Sequence, residues 1–379
     1  MKQLDPELIV HSPGRINLIG EHTDYNLGYV LPTAIDKKIA FKFKKNGTDN
    51  TCQVYSVDFD KVVQIDLNRI VPSKVEWENY ILGVLNELAA RTDKLRGFDC
   101  HLESSVPTGS GVSSSAALEC GLAYGLNELF ELGLSKREIV ELSQTAEHTF
   151  VGTQCGIMDQ FASVMSKEDH VILLDCRSLE HTYIPIDITP YKIILLNTHV
   201  SHNLASSEYN TRKRECEEGI AILQKKYAEI HSLRDVTLEM LRSCKSEMSE
   251  VVFKRCKFII EENRRVLDVA EALRNNDLNL VGKLLYEGHT GLSEEYEISC
   301  PESDFLVGFS KGVPGVLGAR QMGGGFGGCT INLVDEDVVD DYIRATSAIY
   351  EKEFNIKLSS FEGLPSAGTT IISNQLSMP

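Results

Sequence analysis

A polar cluster lies near the N-terminus of the sequence, inside an otherwise apolar stretch. Residues 14–25 read GRINLIGEHTDY and place Arg15, Glu21, His22 and Asp24 within ten positions. Carboxylates that accept hydrogen bonds from paired hydroxyl groups are one way in which proteins hold sugars and other polyols. The same residue types also bind metal ions, but no second cluster with ligand spacing accompanies them. The apolar frame favours a partly buried polyol site over a polar surface turn.

A glycine- and serine-rich segment at residues 107–117 reads PTGSGVSSSAA and runs into a helical pattern. Glycines let backbone N–H groups approach a phosphate closely, and a helix N-terminus favours negative charge. The serine hydroxyls are further candidates for binding a phosphate or a magnesium ion. No lysine follows the glycines, so the segment is not a Walker A loop. A serine-capped helix start without any ligand is the plainer alternative.

A second glycine cluster lies at residues 323–329, which read GGGFGGC. Gly323, Gly325 and Gly328 match GxGxxG formally, but a dinucleotide-binding fingerprint follows a strand and opens a helix. Here the cluster leads into the strand-like residues 330–334. A strained turn with glycines at positive φ is the structural alternative. Five glycines among six residues also favour a backbone that lies close to a ligand.

The elements that must position these segments indicate a mixed α+β fold rather than a regular alternation of strands and helices. Alternating or continuous apolar residues predict strands at 54–57, 62–67, 171–176, 192–197 and 329–334. Apolar residues at helical spacing predict helices at 79–91, 113–132, 135–150, 206–230, 249–274, 278–288 and 336–354. Ser135 and Glu138 have the spacing of a capping box.

The length of 379 residues fits two domains. Pro185 and Pro190 flank a short segment between two predicted strands, which places the boundary nearby. We therefore predict one domain over residues 1–188, with the polar cluster and the serine-rich loop, and another over 189–379, with the second glycine cluster. The C-terminal tail contains a strand-like stretch at 369–372 that could join the sheet of either domain.

The composition excludes several classes of protein. A net charge of −17 repels phosphate backbones, so nucleic acids and anionic membranes are poor partners. No apolar run is long enough for a membrane span, and the N-terminus does not read as a signal peptide. The ten cysteines are scattered without a CxxC pair, which is typical of reduced, mostly buried thiols. These features predict a cytoplasmic protein, and they say nothing about protein partners.

The three segments, in this order, resemble the GHMP kinase superfamily, and residues 20–26 are similar to its galactokinase signature. Residues 156–161, GIMDQF, resemble the segment of the catalytic aspartate. Residues 207–212, SEYNTR, resemble the segment of a sugar-contacting tyrosine. Five ordered matches spread over nearly the whole chain are a specific signal, although each of them alone is not.

The resemblance implies a two-domain α+β GHMP kinase fold with the active site in the interdomain cleft. It implies ATP-dependent phosphorylation of the anomeric hydroxyl of galactose with Mg²⁺ as cofactor, and Asp159 as the base with Arg15 as its partner. The residues implied in sugar binding are Glu21, His22, Thr23, Asp24, Gly156, Asp159 and Tyr209. Those implied in ATP binding are Gly109, Ser110, Gly111, Val112, Ser113, Ser114, Ser115 and Trp77. Those implied in holding the metal are Ser115 and Glu147.

Two of these residues have plainer interpretations. Trp77 is the only tryptophan, and core packing explains it as well as an adenine site does. Without the resemblance, Glu147 reads as a solvated glutamate on a helix. The sequence also departs from the family pattern, with Leu27 in place of a usual glycine and Tyr29 where phenylalanine is common. Gln321 and Met322 precede the glycine cluster, where the family usually has a threonine.

Three competing functions remain at this point. The first is a kinase for a related sugar, such as N-acetylgalactosamine, arabinose or galacturonate, although Thr23 favours galactose over N-acetylgalactosamine. The second is a catalytically silent sugar sensor, against which the intact serine loop and Asp159 both argue. The third is a nucleotide-dependent structural protein, in which the polar cluster would have no purpose. Mevalonate and homoserine kinases lack the signature at residues 20–26.

Overall fold

The computed structural model describes residues 4–107, 109–201 and 205–374. The strands of its first half are β1 (Leu8–Asn17), β2 (Tyr29–Val30), β3 (Pro32–Lys45), β4 (Thr51–Ser56), β5 (Lys61–Asp66), β6 (Phe98–Ser104), β7 (His170–Asp175) and β8 (His181–Pro185). The helices of this half are α1 (Glu76–Arg91), α2 (Ser114–Leu129), α3 (Lys136–Ala146) and α4 (Met158–Met165). The second half contains β9 (Tyr191–Ser201), α5 (Ala205–Gln224), α6 (Leu238–Ser243), α7 (Glu250–Arg274), α8 (Leu278–Glu294), α9 (Pro301–Ser310), β10 (Val316–Gln321), β11 (Gly327–Asp335), α10 (Val339–Phe354), β12 (Ser359–Glu362), β13 (Pro365–Ser366) and β14 (Thr370–Asn374).

The strands form three sheets with largely antiparallel pairing. Their orders are β14-β1-β3-β6-β4-β5 with β13 beside β3, then β10-β11-β9-β12, and β2-β7-β8. Among the described pairs, β4 and β6 run parallel. The largest group of buried apolar residues includes residues of the first sheet and of α1 to α4, and it extends to β9 and β11. The predicted strands correspond to β4, β5, β7, β9 and β11, so these predictions are confirmed.

The serine-rich loop is positioned by the close packing of α2 on β3. A Cβ atom on Gly121 would lie 2.2 Å from the ring of Phe41, and one on Gly125 would lie 2.1 Å from the ring of Phe43. Since real side chains cannot approach so closely, these glycines, one helical turn apart, let the helix lie directly on the sheet. The loop before α2 is thereby held beside β1, to which its backbone hydrogen-bonds.

The predicted helix over 135–150 begins as expected but does not continue as one regular helix. Ser135 and Glu138 form the capping box, and α3 then ends at Ala146. A π-helical turn follows over Glu147–Val151. Gly83 of α1 lies opposite this point, since a Cβ atom there would be 2.9 Å from the Ala146 carbonyl oxygen. π-turns of this kind occur often at functional sites, because they redirect side chains.

The predicted end of the helix at residue 288 is wrong, since α8 continues to Glu294. Gly288 and Gly291 both lie inside the helix. Gly291 serves close packing, because a Cβ atom there would be 2.8 Å from the ring of Phe258 in α7. Gly291 therefore allows the approach of two helices and does not end the first one.

The C-terminal tail joins the sheet of the first half of the chain. Strand β14 pairs antiparallel with β1, with Leu8 opposite Asn374, and β13 pairs with β3. The sequence left this pairing open, and the partner of the tail lies more than three hundred residues away from it. Residues 365–374 therefore complete the first sheet, although the predicted boundary at 188/189 assigns them to the second domain.

All ten cysteines lie in the described ranges and are free thiols, as the sequence predicts. Nine of them are buried and Cys155 is half-buried. Among the helices of the described residues, none combines the length and the apolar character that a membrane span requires.

Candidate active site

The pair predicted to carry catalysis is in direct contact. Arg15, near the end of β1, donates from Nε and Nη2 to the two carboxylate oxygens of Asp159, both at 2.7 Å. Arg15 also donates from Nη1 to the Gly111 carbonyl oxygen at 2.6 Å. Burial lowers the pKa of Arg15, but the nearby Asp159 carboxylate raises it by more. The pKa of Arg15 is therefore raised overall. A bidentate, charge-assisted pair of this kind fixes the orientation of the carboxylate.

Asp159 also contacts the serine-rich loop. The Ser113 hydroxyl donates to Oδ2 of Asp159 at 2.7 Å, and Ser113 is the residue that precedes α2. Asp159 itself lies in the first turn of α4. Its side chain is 27% exposed, whereas that of Arg15 is 5% exposed. The carboxylate therefore faces an accessible space beside the loop, with a buried cation behind it.

The serine-rich loop reaches the helix through three residues at positive φ. These are Gly109, Gly111 and Ser113, with φ of 71°, 73° and 58°. The Ser110 hydroxyl donates to the Pro107 carbonyl oxygen at 2.6 Å, and the Val112 side chain is buried in the core. Ser110 and Val112 can therefore serve a phosphate only through their backbones.

Ser113, Ser114 and Ser115 are partly exposed at the beginning of α2. Their hydroxyls and the free N–H groups of the first helical turn lie at the end of the helix that favours negative charge. The position agrees with the phosphate site that the sequence predicts, although which of these groups contact ATP stays a prediction.

The second glycine cluster forms the loop between β10 and β11 and packs on the first loop. Gly323, Gly325 and Gly328 have positive φ, and β11 follows, so the strand-like continuation is confirmed. A Cβ atom on Gly323 would lie 3.1 Å from the Gly111 carbonyl oxygen. The glycines therefore serve the contact between the two loops, in addition to any contact with a ligand.

Glu21 lies at the centre of this contact rather than in an open pocket. It accepts hydrogen bonds from the Gly323 backbone N–H and from the Asn17 side chain, both at 3.0 Å, and it forms an ion pair with Arg320. Arg320 also donates to the Leu18 carbonyl oxygen at 2.8 Å. Both Glu21 oxygens are thus used within the protein. Glu21 therefore holds the two halves of the site together, and its predicted contact with the sugar stays a prediction.

Arg320 is a site residue that the sequence did not reveal. It is fully buried in β10, between segments that are distant in sequence, and it donates to backbone oxygens as well as to Glu21. An isolated arginine in an apolar strand is the signal that could have found it, because arginine is almost never fully buried unless it is paired.

His22 is buried and both of its ring nitrogens have partners. Nδ1 lies 2.7 Å from the Tyr25 hydroxyl, and Nε2 lies 3.2 Å from the Gly324 carbonyl oxygen. A carbonyl only accepts, so Nε2 carries the proton and Nδ1 accepts from Tyr25. Burial lowers the pKa of His22 to about 3, so the imidazole is neutral at physiological pH. The ring of Tyr209 lies against it, with 4.8 Å between centroids.

Thr23 is a buried residue of the turn after β1. It is fully buried, and its hydroxyl lies 2.9 Å from the Gly20 carbonyl oxygen and 2.6 Å from that of Tyr29. This hydroxyl therefore closes the turn after β1. The predicted contact between Thr23 and the sugar is not supported by this geometry, and an effect of Thr23 on specificity would act through the shape of the loop.

Asp24, Gly156 and Tyr209 lie together next to Asp159. A Cβ atom on Gly156 would lie 1.9 Å from Oδ2 of Asp24, so no side chain fits at this position. Burial, followed by the charge of Asp159, raises the pKa of Asp24 to about 7. Burial and then Asp24 also raise the pKa of the Tyr209 hydroxyl. Of the predicted sugar residues, these are the ones that the structure brings beside the Asp159 carboxylate.

The titration of Asp24 predicts how stability depends on pH. Its carboxyl keeps its proton in the folded state up to about pH 7, whereas the ordinary value is 3.8. The folded state thus binds more protons, and the free energy of unfolding falls as pH rises from about 4 to 7. We expect Asp24→Asn to make this fall shallower, as measured by urea unfolding of the ligand-free protein between pH 5 and 7.5. An unchanged slope would contradict the raised pKa.

The predicted metal residue Glu147 belongs to a buried carboxylate cluster. It lies at the start of the π-turn, and its Oε2 accepts from the Gln160 amide at 2.8 Å. The same amide reaches Glu119 at 3.3 Å. Burial and then Asp159 raise the pKa of Glu147 to about 7, while burial and then Glu147 raise that of Glu119. The sequence missed Glu119 and Gln160, although Glu119 stands one helical turn after Ser115.

Trp77 lies outside the contacts described so far. It stacks on Phe59, with ring centroids 4.9 Å apart and 25° between the planes, and Phe59 is exposed. Tyr80, one turn further along α1, has a pKa raised by burial and then by Glu147. Helix α1 therefore runs beside the carboxylate cluster, and the adenine contact of Trp77 stays a prediction.

Comparisons with known proteins agree with this arrangement. Family models match the chain as "Galactokinase galactose-binding signature" over residues 2–45, "GHMP kinases N terminal domain" over 79–167 and "GHMP kinases C terminal" over 269–352. A galactokinase from Thermosipho africanus is 40% identical over 363 residues, which are 96% of this chain and 99% of that protein. The chain belongs to the galactokinase family. As a member of this family it is a sugar kinase, and the prediction of an enzyme is confirmed.

Solved structures extend the match to three dimensions. The crystal structure of Lactococcus lactis galactokinase complexed with galactose is 34% identical and superposes with a TM-score of 0.91, over 96% of this chain and 94% of that one. The crystal structure of L. major mevalonate kinase in complex with R-mevalonate reaches a TM-score of 0.64 at 19% identity, over 97% of this chain and 100% of that one. The second likeness shows the fold alone. The predicted two-domain α+β GHMP kinase fold is confirmed for this galactokinase-family chain.

Proposed function

We propose that this chain transfers the γ-phosphoryl group of ATP to the anomeric C1 hydroxyl of galactose and releases galactose 1-phosphate and ADP. The observation that carries the proposal is the position of the Asp159 carboxylate. It accepts from Ser113 of the serine-rich loop at 2.7 Å, and it lies close enough to Asp24 to raise the pKa of that group. The Asp159 carboxylate thus adjoins both the serine-rich loop, where the phosphates would bind, and Asp24 of the polar cluster, where the sugar would bind. Phosphoryl transfer requires these two substrates to meet at one point.

The chain's own residues account for the reaction. Asp159 accepts the proton of the anomeric hydroxyl as that oxygen bonds to the γ-phosphorus, while the bond from the γ-phosphorus to the bridging oxygen of ADP breaks. Arg15 orients the Asp159 carboxylate through its two hydrogen bonds. The backbone N–H groups of residues 109–115 and the N-terminus of α2 stabilise the charge of the phosphates. Catalysis is therefore mainly positioning and electrostatic stabilisation.

Ser115 and Glu147 would hold Mg²⁺. Hydroxyl and carboxylate oxygens are the ligands that this hard cation prefers, usually together with phosphate oxygens. The buried Glu147 and Glu119 carboxylates around one amide fit a divalent cation nearby, as does Oε1 of Glu119, a buried atom without a hydrogen-bond partner. When bound, the ion neutralises phosphate charge. The Gln160 amide orients the Glu147 carboxylate from the other side.

The division into domains 1–188 and 189–379, with the tail strands added to the first, is part of this proposal. The site combines both parts, because Glu21 accepts from Gly323 and His22 donates to Gly324. A cytoplasmic location and the exclusion of nucleic acids as partners remain predictions from the sequence.

The proposal is tested by measuring ADP release from ATP, with and without magnesium, against a panel of acceptors. The panel contains galactose, glucose, N-acetylgalactosamine, arabinose, galacturonate and mevalonate. We expect magnesium-dependent turnover that is strongly selective for galactose, with the phosphate on the anomeric oxygen by ³¹P NMR. Selective turnover of another sugar would replace the substrate but keep the mechanism. No turnover, with galactose still raising the melting temperature, would favour a silent sensor.

A further inference from the structure

The segment 296–298, which follows α8, contacts residues 22–25 and the second glycine cluster, and no sequence pattern singled it out. Tyr296 and Ile298 are fully buried. The ring of Tyr296 lies between that of Phe258, at 4.7 Å, and that of His22, at 5.1 Å between centroids. The Tyr296 ring therefore packs directly against the His22 ring.

The hydroxyl of Tyr296 continues the hydrogen bonds of His22. Nε2 of His22 donates to the Gly324 carbonyl oxygen, so Nδ1 accepts the proton of the Tyr25 hydroxyl at 2.7 Å. The Tyr25 oxygen lies 2.7 Å from the Tyr296 oxygen. Because Tyr25 has already donated its single proton to His22, Tyr296 is the donor in this second bond.

The direction of donation continues beyond Tyr296. The Cys216 sulfur lies 3.3 Å from the Tyr296 oxygen, and burial raises the pKa of Cys216 to about 12, so the thiol is protonated and donates. The Asn26 amide approaches the Cys216 sulfur at 3.8 Å and donates to the His22 carbonyl oxygen at 2.8 Å. The hydrogen bonds thus form a chain with one direction, and bonds in such chains strengthen one another.

The backbone of the same segment holds the neighbouring elements. Arg212, one turn after Tyr209 in α5, donates to the carbonyl oxygens of Tyr296 and Glu297, both at 2.8 Å. The Ile298 carbonyl oxygen accepts from the Gln321 side chain at 2.9 Å. It also accepts from the backbone N–H of Phe326, within the glycine cluster, at 2.7 Å. The departure from the family pattern at Gln321 therefore has a structural role in this chain.

We propose that Tyr296 is a positioning residue for the sugar subsite, which holds the Tyr25 hydroxyl against Nδ1 of His22 and thereby fixes the orientation of the His22 ring. The inference rests on the proposed function and extends it. His22 and Tyr209 form one wall beside Asp24, and a rotated imidazole would displace both the wall and the Gly324 carbonyl group that it holds. The ATP site depends on other residues, so the effect of Tyr296 falls on the sugar.

The test is the variant Tyr296→Phe, which removes one hydroxyl and keeps the ring contacts that the fold needs. We expect the KM for galactose to rise about tenfold, whereas kcat and the KM for ATP change by no more than about twofold. Tyr342→Phe is the matched control, because Tyr342 is also buried and its hydroxyl donates to Asn332 at 3.0 Å, in another part of the second half. The control should leave both KM values unchanged.

Two further measurements separate positioning from general damage. Tyr25→Phe should raise the KM for galactose, and the double variant should be no worse than the more affected single one, because both changes break the same chain. ¹⁵N NMR of labelled histidine, assigned with His22→Gln, should show the Nε2–H tautomer in the wild type. Tyr296→Phe should shift the Nδ1 resonance, because the Tyr25 hydroxyl that donates to Nδ1 is no longer held in place.

Each outcome decides between the possibilities. Equal losses in kcat and in both KM values, with a large drop in melting temperature, would assign Tyr296 to stability only and overturn the proposal. An unchanged Nδ1 resonance of His22 in Tyr296→Phe would overturn it as well. If the wild type turns over another sugar, the KM comparison is made with that sugar. If it turns over none, the proposed function fails, and the Nδ1 measurement still decides the role of Tyr296.

Discussion

Asp159→Asn lowers turnover by about two to four orders of magnitude, while ATP and galactose still bind, if Asp159 is the base that the geometry supports. Asparagine keeps the size of the side chain, and its oxygen can still accept from Arg15, but it cannot take the proton of the anomeric hydroxyl. Binding of both substrates is measured by calorimetry, and turnover by ADP release. The loss should therefore appear in kcat and not in affinity.

Asp341→Asn is the control for this variant, because Asp341 is 79% exposed and pairs only with Arg344 on the surface of α10. It should have wild-type kinetics. Near-normal turnover in Asp159→Asn would remove the assignment of Asp159 as the base. Turnover lost together with the binding of both substrates would instead assign Asp159 to the architecture of the site.

Arg320→Met should lower the free energy of unfolding by about 3–5 kcal/mol, a large part of the stability of an ordinary domain. The side chain of Arg320 is 0% exposed and that of its partner Glu21 is 1% exposed. Methionine fills a similar volume but leaves the Glu21 carboxylate buried without its cation. The Asn17 carbonyl oxygen also loses its hydrogen bond from Arg320, which is 2.6 Å long in the wild type. The measurement is urea unfolding followed by circular dichroism and by the fluorescence of Trp77.

Two companion variants show whether the buried pair is the cause. Arg344→Met removes an arginine that is 75% exposed, and it should cost no more than about 0.5 kcal/mol. Adding Glu21→Gln to Arg320→Met should recover part of the loss, because the unpaired charge disappears. Equal losses in the free energy of unfolding for Arg320→Met and Arg344→Met would show that the buried ion pair does not stabilise the fold more than an exposed one.

The sequence predicted the parts of the site that depend on local patterns or on the resemblance. It located the helix that follows the serine-rich loop, the capping box at Ser135 and the strand after the second glycine cluster. The resemblance named Asp159 and Arg15, and the structure places them in contact. It also named Glu21 and Thr23 as sugar contacts, but their side chains are used by the protein itself.

What the sequence determined by itself is the local structure and the residue types at the site. Periodicity, capping and glycines act over a few residues, and these signals are readable without knowing what lies opposite. The end of α8 was less reliable, because the helix continues past Gly288 and Gly291, and Gly291 serves close packing. Such a glycine looks the same in the sequence whether its neighbour is solvent or another helix.

Only the tertiary structure decided how the polar groups of the site are paired. Arg320 lies 303 positions from Asn17, and Tyr296 lies 271 positions from Tyr25. A buried polar group is stable only where it finds a hydrogen-bond partner, and the partner depends on which segments the packing of the two halves brings together. No local pattern in the sequence shows which segments will come into contact. The roles of Glu21, Arg320 and Tyr296 therefore follow from the folded molecule.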